Sequence, residues 1–321
     1  METKTESTAL ITGASSGIGF ELARCFARDG YNLLMVAHYR GKLQDAANKI
    51  QQEFPSVQVD TIALDLSKDN APEKLFNEVQ QRGRQLDVLV NNAGFGEYGP
   101  FSESDLQKEL AMIHLNVIAL VHLTKLFLPS MLNRNSGKIL QLGSVASFMP
   151  APLQSVYGAT KAFILSFSEA LQEELKESNV TVTVLCPPAT DTNFFKVAGA
   201  QDSKIAQGNL ATPEEVAAGG YEALMKGDAR AIPTFKAKIQ VAQSNILLDS
   251  MVAAAMHKQS EKVKPKKAAS KKESAPEAIT ETSSSPDADT GTKKKSSAKT
   301  AKADASASET PAKNKSSKKK E

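Results

Sequence analysis

Cysteine is scarce in this chain: two residues among 321, Cys25 and Cys186. Two thiols far apart in a long chain do not make a disulfide framework, so isolated buried thiols and a reducing compartment are expected. The histidines His38, His114, His122 and His257 show no ligand spacing, and no metal site is expected. No stretch approaches the roughly 18 uninterrupted apolar residues of a spanning helix. Residues 1–8 are polar and lack an apolar segment of signal type. The resulting expectation is a cytoplasmic protein with no transmembrane segment. Internal repeats are lacking as well.

Apolar residues run out towards the end. From Lys258 onward only Val263 and Ile279 remain of the Leu, Ile, Val and Phe set. That stretch holds 17 lysines, no arginine and 9 acidic residues, a net +8. The whole chain is +3, so the part before Lys258 carries −5. A slightly acidic body is a poor nucleic-acid binder. The division expected is one domain over residues 1–257 and a disordered Lys/Ala/Ser-rich tail over 258–321, which cannot bury enough apolar area to offset its ordering entropy. Its clusters at Lys293–Lys295 and Lys318–Lys320 suit weak, salt-sensitive contact with polyanions.

What is present in the body is regular alternation. Short Val/Ile/Leu-rich runs occur at Thr8–Thr12, Leu33–Ala37, Val57–Leu64, Asp87–Asn91, Lys138–Leu142 and Val180–Leu185. They read as buried parallel strands. Helical stretches lie between them: Ile18–Asp29, Lys42–Glu53, Pro72–Arg82, Asp105–Leu132 and Tyr157–Glu177. Thr212-Pro213-Glu214-Glu215 marks a helix start and Gly30 a helix stop. Strand–helix alternation of this kind predicts a doubly wound parallel α/β sheet, Rossmann-like, with helices on both faces. Residues 231–257 are less regular and read as a final helix packed on the domain or on a second subunit, with a membrane-surface or partner helix as the alternative.

The first strand–helix junction reads Thr12-Gly13-Ala14-Ser15-Ser16-Gly17-Ile18-Gly19. Gly13 permits the sharp turn, Gly17 lets backbone approach a pyrophosphate, and Gly19 allows close helix–strand packing. The helix start then offers free N–H groups to an anion, with Ser15, Ser16 and Ile18 between the glycines. The second strand leads into His38-Tyr39-Arg40. An acid there would accept from an adenosine ribose; His38 stands in its place, and Arg40 follows. A missing acid beside a guanidinium favours a 2′-phosphate, hence NADP, with NAD as the other possibility.

Tyr157 and Lys161 stand four apart at the opening of a long helix and so share one face. A phenol ordinarily titrates near pH 10, and an adjacent ammonium is expected to lower that value, fitting the phenol to exchange a proton with a substrate oxygen.

Together, Thr-Gly-x-x-x-Gly-x-Gly, Asn91-Asn92-Ala93-Gly94, Asn116, Ser144 and Tyr157/Lys161, over roughly residues 8–195, resemble the shorter branch of the short-chain dehydrogenase/reductase family. The resemblance implies a nicotinamide-dependent oxidoreductase acting on a carbonyl or alcohol. It implies that Ser144 steadies the substrate oxygen, Lys161 also holds the nicotinamide ribose, and Asn116 supports a water relay. Asp65 would contact the adenine, and Asn92, Ala93 and Gly94 would line the cofactor groove. Pro187, Thr190 and Thr192 would meet the nicotinamide side, Thr192 by the better spacing. Pro188 departs from the family's glycine and removes an N–H donor. A homodimer or homotetramer through the Asp105–Leu132 and Tyr157–Glu177 helices is implied too. Apolar residues in Phe148–Val156 and Asn193–Leu210 are expected to cap an apolar or acyl substrate. The alternative from another class is a catalytically silent dinucleotide-binding regulator or scaffold, tethered through its basic tail.

Overall fold

Seven parallel strands form one sheet in the order β3-β2-β1-β4-β5-β6-β7 in the computed structural model, which describes residues 7–244 and 247–263. The strands are β1 (Thr8–Thr12), β2 (Asn32–Ala37), β3 (Val59–Ala63), β4 (Val88–Asn91), β5 (Gly137–Leu142), β6 (Val180–Leu185) and the two-residue β7 (Arg230–Ala231). Six of the seven fall where the apolar runs predict them. The seventh is too short to leave a periodic signal.

Strand residues alternate between two cores. Ala9, Ile11, Leu33 and Met35 face one, with Leu22 and Phe26 of α1 (Gly17–Arg28), Leu43 and Ile50 of α2 (Arg40–Glu53) and Leu224 of α8 (Pro213–Lys226). Leu10, Leu34, Val36 and Leu89 face the other, with Leu75 of α3 (Ala71–Gln81), Phe127 of α5 (Leu120–Asn133) and Leu171 of α6 (Ser155–Glu174). Each fully buried side chain of this kind contributes about 1.5–3 kcal/mol. Burial on both faces explains why β2 shows no polar alternation over Leu33–Ala37. The fold is the doubly wound, Rossmann-like sheet expected from the sequence.

The expected helix Asp105–Leu132 is made of α4 (Leu106–Ile113), a π-helical turn at His114–Ala119, and α5. By length and composition, Leu106–Asn133 would be long and apolar enough to cross a membrane, with mean hydropathy 1.7. Here Met112, Leu123, Phe127 and Met131 are buried against the rest of the domain. The scattered polar residues that break the apolar run, Asn116 and Thr124, are buried and hydrogen-bonded.

The region after 231 holds two helices rather than one, α9 (Phe235–Ser244) and α10 (Asp249–Ser260), following the one-turn α7 (Phe194–Val197) and α8. Ile246 lies outside the described residues. The body also extends past the expected boundary at His257. Ser260 is buried and its carbonyl accepts from Tyr98 Oη at 2.5 Å. Backbone bonds run from Ile205 N to Gln259 O (3.1 Å), Lys204 N to Glu261 O (2.9 Å) and Val263 N to Asp202 O (2.8 Å). Such pairing needs no apolar side chain, so composition does not reveal it. The lysine clusters and the expected polyanion contact lie outside the described residues.

Candidate active site

The strand order reverses at β1, which has β2 on one side and β4 on the other. Crevices at the C-terminal ends of strands arise at such points. Thr12, the last residue of β1, joins the two sides. Its Oγ1 donates to Val90 O (3.2 Å) and accepts from Asn92 N (3.0 Å) and Ala93 N (2.9 Å). Asn92 Nδ2 returns a bond to Thr12 O at 2.8 Å. The glycine turn and the Asn-Asn-Ala-Gly loop are thereby held side by side.

A cavity of about 1310 Å³ opens along this seam. Its walls include Gly13, Ser16, Gly17, Ile18 and Gly19, then Asn92, Ala93 and Gly94, then Ser144, Tyr157, Pro187, Thr190 and Thr192. Gly13 sits at φ +68, and a Cβ there would come within 2.7 Å of Asn92 Nδ2. Ser16, the residue before α1, makes no side-chain cap bond. The first N–H groups of the helix are thus left for an anion. Bare backbone, free donors and a long crevice fit a dinucleotide.

Ser15 does not line the cavity. His38, Arg40 and Asp65 lie outside it, around the C-terminal ends of β2 and β3. His38 Nε2 stands 3.9 Å from Asp65 Oδ2, and the His38 ring stacks on Tyr39 at 4.4 Å. Asp65 Oδ1 accepts from Ser67 N (3.0 Å) and Ser67 Oγ (2.7 Å), shaping the turn after β3.

Tyr157 and Lys161 occupy the first turns of α6. Lys161 Nζ lies 5.7 Å from the Tyr157 ring centre and donates to Leu142 O at 2.7 Å. Ser144 follows β5 and starts a short 3-10 turn (Val145–Phe148). Its Oγ accepts from Ala146 N at 3.1 Å, while Ser147 Oγ donates to Lys161 O at 2.8 Å, tying this turn to α6. Ser144 and Tyr157 both line the cavity.

Burial pushes the Tyr157 phenol up to about 12, with the Ser144 hydroxyl pulling the other way. Burial also lowers the Lys161 ammonium to about 8. The lowered phenol expected from an adjacent ammonium is therefore not seen. Both groups are desolvated together, and Lys161 aims its Nζ at a carbonyl rather than at the phenol oxygen.

Lys161 makes a pH test possible. An ordinary lysine holds its proton up to about 10.5, this one up to about 8. Between those values the unfolded chain binds the extra proton, so stability gains as pH rises across the window. The unfolding free energy of the protein relative to Lys161→Met is expected to rise by about 3 kcal/mol from pH 8 to 10.5. Urea melts at the two pH values measure it. A flat difference would show that the buried lysine is not depressed.

Asn116 lies in the π turn, where its amide bridges two elements. Nδ2 donates to Phe95 O (3.0 Å) and Thr160 Oγ1 (3.1 Å), and Oδ1 accepts from Phe95 N (3.2 Å). A Cβ on Gly94 would sit 2.9 Å from Asn116 Oδ1 and 3.7 Å from Lys161 Nζ, so the two side chains flank that glycine. Neither lines the cavity itself. π turns concentrate at functional sites, and the helix-interior asparagine is the trace this one leaves in the sequence.

Thr190 Oγ1 is spent on Pro188 O at 2.8 Å. The methyl of Thr192 faces the glycine turn: a Cβ on Gly17 would lie 3.0 Å from it. Of the two threonines, Thr192 is the one that reaches across.

The expected lid is half right. Phe194, Phe195, Val197, Ile205 and Leu210 line the cavity. Phe148 and Met149 do not; they pack against Val252 and Met256. Sequence reasoning missed the wall built by α9 and α10, which brings Phe235, Ile239, Gln240 and Met256 to the cavity. The apolar spacing of Ile239, Met251 and Met256 signals a packed face without saying what it packs on.

Comparison with known proteins follows the same residues. The family model for short chain dehydrogenases matches residues 7–203. A very-long-chain 3-oxoacyl-CoA reductase of Rattus norvegicus is 35% identical over 193 residues, 59% of this chain and 61% of that protein. The Mycosarcoma maydis protein of the same name is 34% identical over 193 residues, 60% of this chain and 55% of its own length. The chain thus spans little more than half the length of these curated relatives. Among solved structures, a short-chain dehydrogenase of Sphingobium yanoikuyae in complex with NADPH is 28% identical, with TM-score 0.66, over 82% of this chain and 99% of that one. A bulky-bulky ketone specific alcohol dehydrogenase of Comamonas testosteroni is 29% identical, with TM-score 0.65, over 76% and 93%. The matched segment carries the glycine turn, the Asn-Asn-Ala-Gly loop and the Ser144/Tyr157/Lys161 group, and the chain belongs to the short chain dehydrogenase family.

Proposed function

We propose that this protein is an NADP(H)-dependent oxidoreductase that reduces a carbonyl, or oxidises the matching alcohol, on an apolar or acyl small molecule. The observation that carries it is Tyr157 sharing one cavity with Ser144 and the glycine turn. The NADPH-bound Sphingobium enzyme and the two 3-oxoacyl-CoA reductases support it.

Gly13 to Gly19 would hold the pyrophosphate, with Ser15, Ser16 and Ile18 in that turn. Arg40 with His38 would meet the 2′-phosphate, and Asp65 the adenine. Asn92, Ala93, Gly94 and Lys161 would hold the nicotinamide ribose, with Pro187, Thr190 and Thr192 along the ring. When bound, the dinucleotide supplies or takes a hydride. In reduction, Ser144 donates to the substrate oxygen and Tyr157 gives it a proton. Lys161 steadies the charge left on the phenol, and Asn116 keeps the loop after β4 against α6. Exposed Leu106, Leu110, Ile118 and Phe163, on adjoining helices, suit a homo-oligomer.

The test is turnover of the purified protein with NADPH and a panel of aliphatic ketones, beside NADH. Turnover with NADPH at least about ten-fold better in kcat/KM is expected, since a charge-assisted bond to the 2′-phosphate contributes roughly 1.5–3 kcal/mol. Bound NADPH without turnover of any carbonyl or alcohol would favour the silent regulator instead.

A further inference from the structure

Gln154 sits immediately before α6, three residues from Tyr157. Its Nε2 is buried with no hydrogen-bond partner, although the side chain lines the cavity. Leaving a buried amide donor unpaired is costly, and native proteins seldom keep one without a use. The main chain of Gln154 is held at both ends: its N donates to Ala151 O at 3.0 Å and its O accepts from Gly158 N at 2.9 Å.

The surroundings say what faces that donor. A Cβ on Gly96 would lie 3.4 Å from Gln154 Nε2 and 2.7 Å from Phe194 Cζ. The Phe194 ring in turn stands 5.1 Å from the Tyr157 ring. The unpaired amide, the Phe194 ring and the Tyr157 ring therefore share one corner of the cavity. Gln240, another amide in the wall, turns its Nε2 to the sulfurs of Met149 (3.8 Å) and Met256 (3.9 Å). Phe195, Val197 and Ile239 add apolar surface to the cavity wall, beside polar residues such as Asn193, Asn209 and Gln243.

We propose that Gln154 determines specificity by donating its N–H to a second substrate oxygen, one that is not reduced. The inference rests on the carbonyl-reducing reading above. Ser144 and Tyr157 already serve the reacting oxygen, so the Gln154 donor needs another acceptor, and the apolar wall needs a chain. A chain with two neighbouring carbonyls, a 3-oxoacyl unit, meets both needs. Its 3-keto carbon takes a hydride from the reduced dinucleotide and its 3-oxygen a proton from Tyr157. The products are the 3-hydroxyacyl chain and oxidised dinucleotide; the second carbonyl is unchanged.

The experiment compares the N-acetylcysteamine thioester of 3-oxodecanoate with a ketone of equal length lacking the second carbonyl, both with NADPH. The expected ratio of kcat/KM, thioester over ketone, is about ten or more for the protein as it stands, from one hydrogen bond in a dry site. In Gln154→Leu the ratio drops about ten-fold, through KM of the thioester. Gln154→Glu, of the same shape but unable to donate when ionised, drops it as far, which separates lost donation from lost packing. NADPH titration of each variant checks folding. Equal losses on both substrates, or an unchanged ratio, would overturn the role of Gln154 while leaving carbonyl reduction standing. Failure on both substrates by the unaltered protein would fail the parent reading and this one with it.

Discussion

Tyr157→Phe is expected to lower kcat for carbonyl reduction by about 10³-fold while changing the dissociation constant for NADPH by less than about three-fold. The substitution removes one oxygen. General acid catalysis by a positioned group contributes on the order of 10²–10⁴-fold, and among the described residues Tyr157 is the one phenol that lines the cavity. The ring itself stays, packed 5.1 Å from Phe194, so the helix and the wall it touches are kept. Ser144 keeps the bond from Ala146 N. Steady-state kinetics beside a fluorescence titration with NADPH separate the two readouts. A variant retaining more than a tenth of the rate would remove Tyr157 from the proton transfer and leave the phenol as packing.

The second large effect lies at the turn. Gly19→Ala is expected to cost about 3 kcal/mol, the upper part of the range for overpacking a tight site, and to lower Tm by roughly 6–12 °C. A Cβ at position 19 would fall 2.4 Å from both Gly13 O and Asn92 Nδ2. The first is backbone and cannot swing away. The second is the amide that bonds Thr12 O and Gly13 O. The methyl therefore presses the turn open and pulls Asn92 from its seat, so NADPH affinity falls by at least about ten-fold as well. Thermal melts and the same titration measure both. Wild-type melting would mean that the turn is far looser than its contacts indicate.

Much of this was legible before any coordinates. The strands β1 to β6 announce themselves as short apolar-rich runs, and where both faces are covered, as in Leu33–Ala37, no polar residue interrupts the run. The turn is legible because only glycine tolerates Gly13's backbone and Gly19's crowding. Tyr157 and Lys161 are legible as a pair through helical spacing. Their titration is not, because it depends on how deeply each is buried and on Lys161 reaching Leu142 O, a residue 19 positions away. The π turn around Asn116 leaves no trace in the sequence beyond the asparagine itself. The α9–α10 wall is hidden for a similar reason: Met256 and Ile239 look alike whether they cover a core, a partner or a cavity. Gln154 has no motif at all, and only its unpaired amide draws notice.

The bonds from residues 202–205 to residues 259–263, with Tyr98 fastened to Ser260, assign part of the cavity's rim to the last stretch of the described chain. The family match ends at residue 203, and α9 and α10 lie wholly beyond it. The Tyr157, Lys161 and Ser144 group and this part of the rim are thus carried by separate segments of one polypeptide. Drift in residues 204–263 can reshape what the enclosure admits while Tyr157, Lys161 and Ser144 stay as they are. Kinship judged over residues 7–203 therefore reports shared chemistry and is blind to divergence in diet.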